Sequence, residues 1–409
     1  MRFDVIVVGA RVAGSATAML LARAGLRVLV LDRAVFPSDT ISSHQVQVPG
    51  IALLHRWGLL DALIRAGTPA TPQVRFDPGN VVLEGAFPAL DGVSALYSPR
   101  RTVLDSLLIA AAREAGAEVI EGARVDGLMV HDGVVCGVEG SRRGGEPLRA
   151  TATLVVGADG KHSAVARLAG AAVYRQEPAR SFASYGYVAD MPITVGEIYH
   201  RPGRAVVAFP TNENLTMVYV ASPLSGFEGA RRDLDGAYLK ALDGCGDLGE
   251  RVRAGRRVER LRTTPDQPNL FRQPSGPGWT LVGDAGVVMD SITAQGISNA
   301  LRDADRVAAA VVDGLGGTRP LATSLAEHHR HRDRELRAMY DFTVGLTRFR
   351  PLSSLQRALF ALLAGRPQEI SRFLGAFAGV TPIDRYLSLG NATRVLARCD
   401  AGRAQPAAA

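Results

Sequence analysis

An apolar run, Val5-Ile6-Val7-Val8, leads straight into the stretch "GARVAG" at residues 9–14, and an Ala/Leu-rich segment follows from Ser15. A strand that ends in a glycine turn and re-enters the chain as a helix opens a βαβ unit of the kind that faces a dinucleotide. The first glycine of such a turn makes the bend, and the last lets helix pack on strand. Gly9 and Gly14 keep both tasks, with Ala13 on the same turn. The middle position, where glycine gives backbone access to a pyrophosphate, holds Arg11. The helix start still offers free N–H groups and a positive dipole end to a phosphate, and an arginine there can point outward and add charge. Asp32 ends the second apolar run, where an acidic residue accepts from ribose hydroxyls. A carboxylate there opposes a 2′-phosphate, so the expected ligand is an unphosphorylated adenine dinucleotide, with Arg33 beside it.

The chain of 409 residues suits two interleaved domains plus an extension. Its 47% hydrophobic and 21% charged residues are those of an ordinary soluble globular enzyme. No apolar run is long enough to span a bilayer, so no stable membrane insertion is expected. Residues 1–8 read as a strand start rather than a signal peptide, which places the protein in the cytoplasm. Cys136, Cys245 and Cys399 are too scattered for a metal or redox pattern. The net charge of +7 is dispersed and lacks aromatic partners, so nucleic acid is not an expected partner. The basic segment "HHRHRDRELR" at 328–337 reads as a solvated helix face, and "LQRALFALLAG" at 355–365 as core packing rather than a membrane anchor.

Periodicity predicts a strand at 3–8, a helix at 12–24, a strand at 27–31, loop over 33–50, a helix pair over 50–66 and a helix over 101–116. Short strands separated by glycine turns follow at 118–157. Extended Tyr/Val/Phe-rich segments at 180–225 predict a separate antiparallel sheet. A helical patch near 230–255, a buried strand around 279, a helix from 295 and a mostly helical region over 320–398 complete the pattern, with a frayed tail at 400–409. The expected fold class is α/β: a Rossmann-like nucleotide domain interleaved with an antiparallel sheet domain, plus a helical C-terminal part. The expected division gives 1–75, 98–177 and 276–318 to the nucleotide domain, 76–97 and 178–275 to the sheet domain, and 319–409 to the C-terminal helices.

Two further stretches narrow the cofactor. "VVGADGKHSAVAR" (155–167) is a buried strand ending at Asp159-Gly160 before a helix. "LVGDAGVVMDSITAQGISNALRDA" (281–304) is a strand ending at Gly283-Asp284, with Gly296 and Ile297 opening another helix. Asp284 can accept from ribityl hydroxyls, and a helix start suits the negative charge of a reduced flavin. With these three motifs the chain resembles the single-component FAD-dependent monooxygenases typified by p-hydroxybenzoate hydroxylase, and their relatives the flavin halogenases and geranylgeranyl reductases. The resemblance spans about 300 residues. It implies FAD held extended across the first domain and NAD(P)H as a transient reductant. It also implies oxygen transfer from a flavin C4a-hydroperoxide to an aromatic or polyketide-like molecule, in natural-product tailoring.

By the same resemblance, Gly9, Arg11, Ala13, Gly14, Asp32, Arg33, Ser42, Gln45, Arg101, Val125, Asp159, Asp284, Gly296 and Ile297 bind the cofactor. Tyr185, Tyr187, Tyr199, Phe209, Pro210 and Tyr219 face the substrate, and His44 is the candidate catalytic side chain. The loop after Gly283-Asp284 departs from the family, reading Val287-Val288-Met289-Asp290-Ser291 where a His and prolines are usual. Alternatives from the same resemblance are a C=C reductase, for which "AVVAFPTNENLTMVYV" is the local likeness, a halogenase, and a non-catalytic carrier of lipidated partners. Halogenation is disfavoured because no WxWxIP segment and no spare lysine are present. A small-molecule substrate and O2 are the expected partners, in a monomer or a dimer.

Overall fold

The computed structural model describes residues 2–388, 390 and 391. The predicted tail at 400–409, and the predicted helical positions 389 and 392–398, lie outside them. Residues Val5–Val8 are buried on both faces, as a near-continuous apolar run requires of a central parallel strand. Strand Arg2–Val8 sits between Pro147–Gly157 and Val28–Asp32, and the parallel order continues outward to Trp279–Leu281 on one side and Glu118–Glu121 on the other. The eleven residues Pro147–Gly157 serve two sheet segments. Their first half pairs antiparallel with Val134–Arg142, which pairs with Ala123–His131, and their second half runs parallel to the first strand. Helices Val12–Arg23, Arg101–Glu114 and Gly296–Leu315 cover one face, and the three-stranded meander covers the other.

The second sheet runs Arg256–Arg257, Ser181–Ala189, Leu215–Pro223, Arg204–Thr211, Gly196–Arg201, Gln73–Asp77, Leu83–Ala86. All pairs are antiparallel except Gly196–Arg201 with Gln73–Asp77. Every residue of Ser181–Ala189 is buried, so both faces of this sheet are covered. Helices Leu234–Ala241 and Leu248–Ala254 close the outer face, and the inner face meets the first domain and the C-terminal helices. Those helices are Leu321–Leu346, Ser354–Leu363, Pro367–Phe377 and Ile383–Tyr386. In the segment 355–365, Phe360 and Leu363 are buried, while Leu355 is exposed. No helix among the described residues is long and apolar enough to cross a membrane.

Candidate active site

The glycine turn is set by close packing. Gly9 adopts φ 105°, and a Cβ there would lie 2.4 Å from the Ala158 carbonyl oxygen. A Cβ on Gly14 would lie 1.8 Å from the Gly9 oxygen, so only glycine lets the first helix sit directly on the first strand. Asp32 secures the turn from the next strand: one oxygen accepts from Ala10 N–H at 2.6 Å and the other from Ala34 N–H at 2.7 Å. Its remaining lone pairs are those a ribose would use. Arg33 beside it is exposed. Val125 packs in the cluster that contains Leu29 and Leu31, behind Asp32.

Arg11 is tied to a buried partner and only partly reaches solvent. Its guanidinium donates to Asp105 at 2.6 Å, to the Ser38 carbonyl at 3.2 Å and to Ser38 Oγ at 3.1 Å, and stacks over Phe36. The cause is Asp105, a fully buried carboxylate on the helix Arg101–Glu114, which needs a countercharge. Arg101, one turn earlier on that helix, supplies a second guanidinium at 2.9 Å. Sequence reading missed Asp105, although its i,i+4 spacing from Arg101 was a usable signal. The first helix has no side-chain cap, so its first-turn amides remain open to an anion.

In the second motif Asp159 holds its own turn together. Asp159 accepts from Ser163 Oγ at 2.5 Å, Ala164 N–H at 2.6 Å and Val165 N–H at 3.1 Å, which engages its carboxylate at the start of its own short helix. In the third motif Gly283 adopts φ 62°, and a Cβ there would lie 2.9 Å from the Ala13 Cβ, so this turn lies against the first helix. Asp284 is exposed on this turn, yet the surrounding protein pushes its carboxyl up to about 6 against the pull of Arg101, Lys161 and Arg272. Gly296 begins the 20-residue helix Gly296–Leu315, which has no side-chain cap. A Cβ on Gly296 would meet nothing within 4 Å, and Ile297 is buried behind it.

A buried network holds the Gly283 turn from beneath. Gly283 N–H donates to Asp303 Oδ2 at 2.7 Å, and His328 Nε2 lies 3.1 Å from Asp303 Oδ1. Burial alone would raise the Asp303 carboxyl, but His328 and Arg332 outweigh it and hold the group below the ordinary range. Arg272 donates to the Ala285 carbonyl at 2.9 Å and to the Lys161 carbonyl at 2.8 Å, tying the second and third motifs together. Arg332 in turn donates to the Arg272 carbonyl at 3.3 Å and to Tyr174 Oη at 2.9 Å. The segment 328–337 is therefore no plain solvated face, because His328 and Arg332 are turned inward to these partners.

The inner face of the second sheet carries Tyr185, Tyr187, Phe209 and Tyr219 together, as strand alternation and register demand. Phe209 and Tyr219 line a narrow, largely apolar cavity with Val207, Ile198, Phe377 and the turn Ser291–Ala294. Gln45, Gln47 and Ser291 are its polar edge, and Tyr219 Oη lies 2.7 Å from Ser291 Oγ. Burial, reinforced by the Asp290 charge, pushes the Tyr219 phenol up. Tyr199 lies on the opposite face, donating to Glu197 at 2.7 Å among the residues under the outer helices. Pro210 shares that parity, so neither faces the cavity. Gln47, Phe87, Leu374 and Phe377 were missed, since no local pattern reveals which distant segments meet.

Tyr185 and Tyr187 meet His44 instead. His44 is fully buried at φ 59°, stacked on Tyr187 and hydrogen-bonded to its hydroxyl, and Ser42 Oγ accepts from its N–H at 3.1 Å. Burial, aided by Arg101, lowers the imidazole to about 3, so it is neutral. Arg100 lies over Tyr187 at 4.4 Å and pairs with Glu259 at 2.5 Å.

Two uncapped helix starts, Arg101, and the carboxylates Asp32 and Asp284 supply amides for a pyrophosphate and acceptors for sugar hydroxyls. This donor set fits FAD. A family model described as "FAD binding domain" matches residues 2–343. The chain belongs to this FAD binding domain family. It is an FAD-dependent oxidoreductase.

Among curated relatives, the chain is 29% identical over 329 residues to 6-methylpretetramide 4-monooxygenase of Streptomyces rimosus, covering 76% of each. It is 32% identical over 317 residues to digeranylgeranylglycerophospholipid reductase 1 of Methanopyrus kandleri, covering 74% of this chain and 78% of that one. The solved structure of the flavin-dependent brominase Bmp2 superposes with a TM-score of 0.81 at 19% identity, over 99% of this chain and 100% of that chain, a likeness of fold alone.

Proposed function

We propose that this FAD binding domain protein is a monooxygenase. It transfers one oxygen atom of O2 to an aromatic or polyketide-like small molecule, with NAD(P)H as the transient reductant. The observation that carries the reading is the apolar cavity between the inner sheet face and the Ser291–Ala294 turn. FAD, when bound, supplies electron transfer and the activation of O2. The chain's own part is to hold the cofactor, orient the substrate and keep water out.

In this reading Gly9, Arg11, Ala13 and Gly14 seat the pyrophosphate. Asp32 takes the adenosine ribose with Arg33 alongside, and Val125 backs the adenine. Arg101, Ser42 and Gln45 border the flavin, Asp284 takes ribityl hydroxyls, and the N–H groups of Gly296 and Ile297 meet its anionic edge. Asp159 acts indirectly by shaping its loop. Phe209 and Tyr219 contact the substrate directly, while Tyr185 and Tyr187 brace His44. The name of the S. rimosus relative supports the same reaction class.

A second reading, reduction of a C=C bond, is favoured by the M. kandleri relative. Halogenation through a cavity lysine finds no support, because Lys161 is paired with Asp266 at 3.0 Å and neither it nor Lys240 lines the cavity. The deciding experiment is stopped-flow absorbance on anaerobically reduced protein mixed with aerated buffer. A resolved species between reduced and oxidised flavin is expected. Direct slow return to oxidised flavin, with aromatic and polyketide substrates present, would overturn oxygen transfer and leave the reductase.

A further inference from the structure

Behind the apolar cavity lies a cleft of about 690 Å³, bounded by the helices Val48–Arg56, Gly296–Leu315 and Leu321–Leu346 and by the turn 379–382 with the start of the helix Ile383–Tyr386. Gln295 links the two walls. Gln295 is buried and lines the cleft, and its amide donates at 2.9 Å to the carbonyl of Phe377, which lines the cavity. Gly379, on the cleft side, approaches so closely that a Cβ there would lie 3.4 Å from Gln295 Oε1.

The cleft is apolar at Leu336, Met339 and Val380, but its charge is uneven. Arg56 pairs with Asp305 at 2.7 Å, while Arg302 and Arg306 share the single carboxylate of Glu335. Arg334 and Arg385 also line it, both exposed and without an ion pair among the described residues. Asp384 accepts from the Arg385 backbone N–H at 2.9 Å, and Asp91 is the remaining carboxylate on the wall. The wall thus carries five guanidinium groups against four carboxylates, and a surplus guanidinium selects an oxyanion because it offers paired N–H donors.

We propose that this cleft binds the anionic end, a phosphate or carboxylate, of an amphipathic substrate whose apolar end reaches the cavity past Gln295. The proposal rests on the reading that the cavity receives the substrate. It adds that the substrate carries a fixed negative charge.

The test is calorimetric titration of the FAD-loaded protein with decyl phosphate, decanoate and decanol. One of the two anions is expected to bind at least about tenfold more tightly than decanol, and which one identifies the headgroup. Arg334→Glu/Arg385→Glu is expected to abolish that preference, leaving decanol affinity and FAD content unchanged. Arg337→Glu, exposed on the same helix but outside the cleft, should preserve it. Equal binding of all three ligands, an intact preference in the double variant, or an equal loss in Arg337→Glu would each overturn the proposal. None of these outcomes depends on oxygen chemistry, so a missing flavin transient would sink the monooxygenase reading alone.

Discussion

Asp105→Asn probes the least visible part of the cofactor site. The carboxylate is fully buried and receives one N–H from Arg11 at 2.6 Å and three from Arg101 at 2.9–3.1 Å. Breaking a buried ion pair costs about 3–5 kcal/mol. The Arg11 side chain keeps 28% exposure and regains water, so the lower end, about 3 kcal/mol, is the better value. Unfolding entropy is roughly 2.1 cal/mol/K per residue, or about 0.9 kcal/mol/K for this chain, which converts the loss to a Tm drop of about 3–4 °C in the apoprotein. FAD affinity should fall about tenfold, because two arginines lose their anchor together. Calorimetry and flavin fluorescence titration read the two effects. A cycle with Arg101→Gln should show a coupling of about 1 kcal/mol or more. A variant that melts within about 1 °C of the parent and retains FAD would refute the anchoring argument.

Gly14→Ala places a Cβ 1.8 Å from the Gly9 oxygen, so the purified protein is expected to carry no flavin absorbance. Folded His44 titrates near 3 against an ordinary 6.5, so its contribution is present above 6.5 and lost as pH falls toward 3; His44→Asn should flatten that acid limb in thermal melts. Folded Asp284 titrates near 6 against an ordinary 3.8, so the apoprotein should lose stability as pH rises between them, and melts of Asp284→Asn should lack that step.

The strand–turn–helix openings were readable because local packing dictates them. Gly9, Gly14 and Gly283 sit where a side chain would collide, and that need is written at single positions. The sheet strands were readable from their buried apolar runs. Faces across strands were less so: Tyr199 was grouped with Phe209, although Ile198, not Tyr199, shares the cavity side, because the face each residue takes is set by register with Arg204–Thr211 and Gln73–Asp77. The partners of Arg11 and Asp159 were not legible, for one reason. Each is a charged group whose partner, Asp105 for one and a helix start for the other, is chosen by the folded arrangement. The cavity wall from Phe87, Leu374 and Phe377 joins segments almost three hundred residues apart, which no local pattern carries.

The buried Asp303, His328 and Arg332, with the half-buried Arg272, make the helix Leu321–Leu346 a foundation of the nucleotide domain. Gly283 hangs from Asp303, and His328 on Leu321–Leu346 is the group that steadies that carboxylate. A chain cut after Leu315 would keep every glycine of the three motifs and still leave an unsupported charge beneath the third. Relatives could not trade this region freely for another, however variable the surface around it. Any graft must bring its own partner for Asp303 to the same depth, or the Gly283 turn loses its support.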